Sequence, residues 1–455
     1  MSHTPSSLSP KATKRKPFKS RSPRTSTTQE KTNVSSMCDL DTMTCTSVSE
    51  VEPAPELVHI KPSEAGATRL LPTEEYFHGY RPIDASERVL QNCGDFLVRK
   101  VVNSEELFLS LMGADQTVKH VKINYSNLKN TYFVHNYSFD SVPGLISYHC
   151  RKKLSVDADG NIISKGIARE KWQLHHEQVH RKHKIGDGAF GEVWMGILHL
   201  GMFTKIEVAI KIPIGKVTAA EHDKLFQEAQ LMRTLHHPNC IKLLGVAMYD
   251  EPLLLIMELA PGGAVIDAVR KKPGPSQDER IRYAHGALKG LAFLESKSVI
   301  HRDVAARNTL ISAKGEAKIC DFGLSIPGIE HKEKRLLKVP VRYLAPETLS
   351  GGKYSSKSDV WSYGILIWEI FYDGQEPYED IVEPLEVKKQ VKAGRRLQNS
   401  TNACPKHLWD VATWCWIANP SERPSFANLI NSLRIAEAPP SRFYDQIAQK
   451  LHFQR

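Results

Sequence analysis

The run His301-Arg302-Asp303-Val304-Ala305-Ala306-Arg307-Asn308 limits the folds open to this chain more than any other stretch. Thirteen residues after Asn308 comes Asp321-Phe322-Gly323, and the residues between have a strand–turn–strand pattern turning at Ala313-Lys314-Gly315. Two polar loops joined by a short hairpin make Asp303, Asn308 and Asp321 converge, a spacing that a chance loop does not reproduce. At 455 residues the chain exceeds a single core, so two or three domains are expected around this cluster.

Patterning divides the chain. Residues 1–70 are rich in Ser, Thr, Pro and Lys and are expected to form a disordered basic tail. Residues 76–165 make a compact block with a trailing linker. Strand-like runs fall at 95–99, 107–112 and 118–123, helix-like segments near 85–90 and 142–149, and a polar linker at 156–169. Strands flanked by two helices make a small α+β domain. A junction at 166–178 leads to residues 179–436, which open with strand patterns at 184–195 and 206–212. A helical segment at 220–235 follows, then mostly helices beyond 278, and 437–455 is a tail. The fold class is therefore multidomain α+β, with a small sheet-rich lobe joined to a larger helical one.

Composition removes several function classes. The most apolar runs, 252–259 and 365–372, fall well short of the ~20 residues a membrane helix needs, and the second carries Glu369. The N-terminus has neither an apolar signal segment nor a Met-Gly start. Eight cysteines show no C-x-x-C pair, which suggests neither a zinc site nor a disulfide framework and fits a reducing, cytoplasmic compartment. Part of the net charge of +10 comes from Lys11, Lys14, Arg15, Lys16, Lys19, Arg21 and Arg24. Such a run is either a solvated tail or a weak contact for anionic membrane, nucleic acid or an import receptor. No specific nucleic-acid partner is expected, and a monomer is.

Upstream of the opening cluster, Ile185-Gly186-Asp187-Gly188-Ala189-Phe190-Gly191-Glu192-Val193 follows a strand pattern. Its three glycines let a hairpin backbone approach phosphates closely. A dinucleotide fold would require a helix next and an acidic residue ~20 positions on. Instead Val193-Trp194-Met195 continues as strand and leads to Val208-Ala209-Ile210-Lys211. A lysine in that apolar run either snorkels at a strand edge or finds a partner. In the helical segment, Leu225, Ala229 and Met232 mark the apolar face, and Glu228 points toward it. An unpaired charge there is costly, so Lys211 and Glu228 are predicted to pair, an arrangement that positions ATP phosphates. Asp303 then accepts a substrate hydroxyl's proton, Asn308 holds a metal ion, and Asp321 ligates Mg²⁺ bridging the phosphates. Downstream, Glu347 of Ala345-Pro346-Glu347 is expected to pair with Arg423, and Asp359 to cap backbone N–H groups of the catalytic loop.

On these motifs, residues 179–436 resemble a eukaryotic protein kinase, a bilobal fold with a β-rich N-lobe and a helical C-lobe. Ala305-Ala306-Arg307 resembles tyrosine kinases, whereas serine/threonine kinases usually have Lys-Pro-Glu there. Pro340-Val341-Arg342-Tyr343 resembles the shelf that accommodates a tyrosine ring, with Tyr343 replacing the usual tryptophan and Leu344 the usual threonine. The resemblance implies ATP held by Ile185, Gly186, Gly188, Gly191, Val193 and Lys211 against the hinge Glu258-Leu259-Ala260, with Met257 as gatekeeper. It also implies Mg²⁺ (or Mn²⁺) on Asn308 and Asp321, and catalytic roles for Asp303, Arg307, Lys211 and Glu228. A serine/threonine kinase and a catalytically silent scaffold are the rival readings, the second opposed by a complete set of polar residues. Between Asp321 and Pro340 the chain has no tyrosine or threonine, only Ser325, so activity is expected not to depend on loop tyrosine phosphorylation. Glu330 or Glu333 is expected to pair with Arg302 in its place.

Phe96-Leu97-Val98-Arg99 is a strand ending in arginine, preceded by Tyr76-Phe77-His78-Gly79 and followed on a later strand by His120-Val121-Lys122-Ile123. This block resembles an SH2 domain, a central antiparallel sheet between two helices. Arg99 matches its buried phosphotyrosine-binding arginine, and His120 and Lys122 match residues flanking the phenyl ring. Ile83 and Val101 stand where many SH2 domains have a second arginine and a serine. The junction Lys171-Trp172-Gln173-Leu174-His175-His176-Glu177 is similar to that of the Fes/Fer subfamily. Implied partners are proteins carrying tyrosine and phosphotyrosine. Only about 70 residues precede the SH2-like block, so membrane recruitment through that subfamily's long N-terminal region is not implied, and a cytoplasmic location with recruitment to the inner face of the plasma membrane by another route stays open.

Overall fold

A computed structural model of the chain describes residues 57–66, 70–188, 191–201, 203–215, 217–334 and 340–437. Seven strands build the first sheet: β1 (Val58–Ile60), β2 (Asp95–Lys100), β3 (Leu107–Met112), β4 (Val118–Ser126), β5 (Thr131–Val134), β6 (Tyr137–Phe139) and β7 (Lys165–Gly166). Their order across the sheet is β1-β6-β5-β4-β3-β2-β7. Helices α1 (Pro62–Ala65), α2 (Ile83–Glu87) and α3 (Val142–Lys152) accompany it. Strand alternation explains the layering. Phe96, Val98, Leu109 and Leu111 face Leu145 and Ile146 of α3, while Leu97 and Met112 meet Leu90 on the other side. Each fully buried leucine of this kind contributes about 2 kcal/mol. Ser141 caps α3 by accepting from the Gly144 N–H at 3.1 Å, and Lys153, at φ 55°, ends it.

Two stretches expected to be irregular are structured. β1 lies within the span assigned to the tail and pairs in parallel with β6. Val156 and Ile163, from the stretch expected to be a polar linker, are fully buried in the same core. Three-residue strands show little alternation, and their stability comes from neighbouring strands rather than local preference. The rest of the expected tail, up to residue 56, lies outside the described residues, as does the tail beyond 437.

A second sheet contains β8 (Gln173–Leu174), β9 (Val179–Gly188), β10 (Gly191–His199), β11 (Lys205–Ile212), β12 (Leu243–Ala247) and β13 (Leu254–Glu258), ordered β8-β12-β13-β11-β10-β9. The junction serves both sheets: β7 pairs in parallel with β2, and β8 with β12. Helix α4 (Ala219–Thr234) begins with a reciprocal Thr218–Glu221 capping box. The helical lobe follows with α5 (Val265–Arg270), α6 (Gln277–Ser296), α7 (Pro346–Gly351) and α8 (Ser356–Phe371). Nearly every side chain of α8 is buried, as a helix at the centre of a lobe must be. Short strands finish the frame. β14 (Val299–Ile300) pairs with β17 (Ile326–Pro327), β15 (Thr309–Ile311) with β16 (Ala317–Ile319), and β18 (Glu330–Lys332) with β19 (Lys353–Ser355). Among the described residues no helix is long and apolar enough to cross a membrane.

Candidate active site

The cleft is assembled from three elements. Lys211 lies on β11 directly opposite Val193 on β10. Its ammonium donates to both Glu228 oxygens, at 2.8 and 3.1 Å, and to Asp321 Oδ1 at 3.1 Å. Both members of the Lys211–Glu228 pair are almost wholly buried, with side-chain exposures of 7% and 5%. Burial alone would depress the Lys211 pKa, but the Glu228 and Asp321 carboxylates outweigh it and raise it. Burial pushes Asp321 upward, yet the adjacent ammonium holds it below the ordinary carboxylate range. Lys211 is therefore a fixed cation between two acids.

The hairpin works as its spacing predicts. Thr309 on β15 stands opposite Ile319 on β16, and the Cys320 N–H donates to the Asn308 carbonyl at 3.0 Å, which sets Asn308 and Asp321 side by side. The Asn308 carboxamide nitrogen donates to Asp303 Oδ2 at 2.6 Å and to its carbonyl at 2.8 Å. Its carboxamide oxygen is then the atom left to meet a cation. Arg307 pairs with Asp303 Oδ1. The loop is held from below by Asp359, which accepts from the N–H groups of His301 at 2.7 Å and Arg302 at 2.9 Å. Burial pushes Asp359 up to about 6 against the pull of His301 and these two donors. Arg302 and Asp321 have φ of 72° and 59°, left-handed conformations that non-glycine residues adopt only when their surroundings impose them. Glu347 binds Arg423 through two contacts of 2.8 and 3.2 Å, as expected.

Above the cleft, Gly188 and Gly191 pair across the β9–β10 turn. A Cβ on Gly191 would sit 2.2 Å from the Ile212 carbonyl, so only glycine fits there, whereas Gly186 faces open space. Ile185 is exposed and Val193 half-buried. Ala189 and Phe190 lie outside the described residues. Met257 and Glu258 end β13, and Ala260 follows, half-buried. Glu258 adds a tie that its motif did not announce: Oε1 accepts from the Lys242 N–H at 2.8 Å and Lys318 Nζ at 2.9 Å. Its carboxylate therefore braces the hinge.

Glu333 meets Arg302 at 3.5 Å, the pairing expected in place of a loop phosphate. His331 shares a 2.8 Å hydrogen bond with the same carboxylate, and the Arg302 guanidinium lies 4.4 Å from the Tyr354 ring centroid.

In the first domain, register brings the expected Arg99, His120 and Lys122 onto one face of the sheet, with Phe108 between Arg99 and Lys122. Arg99, Phe108 and Lys122 stand opposite one another across β2, β3 and β4, with Ser110 opposite His120 in the next row. Arg99 is buried, donates through Nε to Ser110 Oγ at 3.2 Å, and lies 5.1 Å from the Phe108 ring centroid. Ser110 Oγ shares a 2.8 Å hydrogen bond with His120 Nδ1, while Lys122 pairs with Glu106 and His120 Nε2 lies 3.3 Å from Glu87. Sequence reasoning missed Ser110, Glu87 and Glu106. The period-two alternation of β3 places Ser110 on the face of Phe108 and was the available signal.

A bilobal fold with this cluster of side chains, preceded by a sheet domain that buries an arginine beside Ser110 and Phe108, defines a protein kinase carrying an SH2 domain. Residues 179–433 match the family model "Protein tyrosine and serine/threonine kinase", and residues 76–149 match "SH2 domain". The chain is 35% identical over 377 residues to Fer-related kinase 1 of Caenorhabditis elegans, covering 82% of this chain and 96% of that protein. It is 34% identical over 372 residues to Tyrosine-protein kinase Fer of Mus musculus, covering 81% of this chain and 44% of that longer protein. Spermatocyte protein spe-8 of Caenorhabditis elegans is 38% identical over 309 residues, 67% of this chain and 60% of that one. The chain belongs to the SH2-containing, non-receptor protein-tyrosine kinases of the Fes/Fer group. Kinases of this family use ATP with a divalent metal ion.

Proposed function

We propose that the chain, acting in the cytoplasm as a monomer, transfers the γ-phosphoryl group of ATP to tyrosine hydroxyls of proteins brought to it by SH2 contacts with phosphotyrosine. The observation that carries this reading is the Lys211 ammonium shared between Glu228 and Asp321. Ile185, Gly186, Gly188, Gly191 and Val193 cover the nucleotide, the backbone from Glu258 to Ala260 meets the adenine, and Met257 closes the rear. Lys211, kept in place by Glu228, holds the phosphates. Asp303 orients the phenol and takes its proton as the new O–P bond forms and the bond to the β-phosphate oxygen breaks. Arg307 holds Asp303 and meets the incoming ring. Catalysis on this scheme is positioning and electrostatics.

Asn308 and Asp321 offer oxygen donors suited to Mg²⁺, with Mn²⁺ as the alternative, and would hold the ion. A divalent ion held by these two residues would supply positive charge to offset that developing on the phosphates. Glu333 on Arg302 supports a loop organised without phosphorylation. Arg99, with Lys122 and His120 beside it, receives the phosphotyrosine of a partner, and the basic N-terminal run adds weak affinity for anionic membrane. Phosphoamino-acid analysis of a protein substrate treated with the purified chain and Mg-ATP tests the reading. Phosphotyrosine is expected, and phosphoserine or phosphothreonine alone would overturn it.

A further inference from the structure

Helix α8 buries two acids, Asp359 in its first turn and Glu369 near its end, the second inside the apolar run from Ile365 to Phe371. Glu369 is only 2% exposed, and burial pushes its carboxyl upward against the pull of two hydrogen-bond donors. A carboxylate in that position is costly unless paired. Its two oxygens are divided between different parts of the site. Oε1 accepts from the Tyr343 hydroxyl at 2.7 Å, and Oε2 accepts from the Ala306 N–H at 2.9 Å. The first belongs to the shelf beneath the expected substrate ring, the second to the catalytic loop.

The contacts close a circuit. The Arg307 guanidinium lies 4.8 Å from the Tyr343 ring centroid, and Arg307 pairs with Asp303 three residues before Ala306. The shelf is also pinned from outside. Ser362 Oγ donates to the Tyr343 carbonyl at 2.9 Å, while Arg342 donates to the carbonyls of Pro377 at 3.1 Å and Ile381 at 2.7 Å. With those anchors fixed, the remaining freedom of the Tyr343 ring is tilt and rotation about its own axis. The hydroxyl's bond to Glu369 restrains the tilt.

We propose that Glu369 and Tyr343 form a positioning pair that fixes the phenol-binding shelf against the catalytic loop, so that the shelf is preformed to bind the ring of the substrate tyrosine. The pair rests on the reading of Asp303 and Arg307 as the groups that meet the phenol. It also gives a physical role to the tyrosine standing where related shelves carry tryptophan: its hydroxyl reaches an acid that the helix buries for that contact.

Steady-state kinetics on the full chain test the pair with Tyr343→Phe, Glu369→Gln and the double variant. Tyr343→Phe keeps the ring and its contact with Arg307 but strips one donor from a buried carboxylate. The KM for a tyrosine peptide is expected to rise about tenfold, with kcat at saturating peptide changed less than about threefold. The double variant is expected to be no worse than the poorer single one, because both remove the same contact. An unchanged peptide KM, a fall in kcat alone, or fully additive effects would overturn the pair. If Glu369→Gln does not fold, Tyr343→Phe decides alone. Failure of the wild-type chain to form phosphotyrosine would instead reject the functional reading beneath it.

Discussion

Replacing Glu228 by glutamine keeps the shape of the side chain and removes its charge. Lys211 then remains buried, with Asp321 at 3.1 Å as its acidic partner and a neutral amide where a carboxylate stood at 2.8 Å. Breaking a buried pair by removing one partner costs about 3–5 kcal/mol. Part of this is recovered here, since Asp321 stays and the amide oxygen still accepts one hydrogen bond. A net loss of about 2–3 kcal/mol is reasonable, with no discount for solvent screening because both side chains are nearly inaccessible. At 1.36 kcal/mol per decade, kcat/KM for ATP should fall by about 30- to 150-fold. Initial-rate measurements across ATP concentrations at saturating peptide read the effect, and a thermal melt on the same sample separates it from unfolding. A folded Glu228→Gln protein within about threefold of wild type would refute the assignment of Lys211 as the phosphate-holding cation.

Arg99→Ala should remove phosphotyrosine-peptide binding in calorimetry, since losing one partner of a buried charged contact costs ~2–5 kcal/mol. Unchanged affinity would place the pocket elsewhere. Phosphatase treatment should leave specific activity intact, whereas Glu333→Gln should lower turnover by only about 2- to 5-fold, because its contact with Arg302 is partly exposed. A large activity loss tied to a phosphosite in the loop would contradict this.

Polar residues held at fixed distances by short elements were the most legible part of the molecule. The loop–hairpin–loop spacing places Asp303, Asn308 and Asp321 together because the twelve residues between Asn308 and Asp321 leave a hairpin few alternatives. Glu228 stood out as a charge on an apolar helix face, and pairing with Lys211 resolves it. Other features rest on neighbours distant in sequence. β1 depends on β6, and Val156 and Ile163 are buried by a sheet edge that their own polar surroundings do not announce. The partners in the SH2 pocket, Ser110, Glu87 and Glu106, belong to residue types that are ordinary on any surface. Glu369 registered in the sequence only as a break in an apolar run. Its two contacts come from segments 26 and 63 residues away, beyond the reach of local pattern.

The central claim is that Asp303 serves the transfer step and not nucleotide binding. Turnover and ATP affinity measured together on Asp303→Asn address it directly. Turnover should drop by ~10²–10⁴ while the ATP dissociation constant stays within about threefold. Near-normal turnover in a folded variant, or loss of ATP binding in step with activity, would contradict the account.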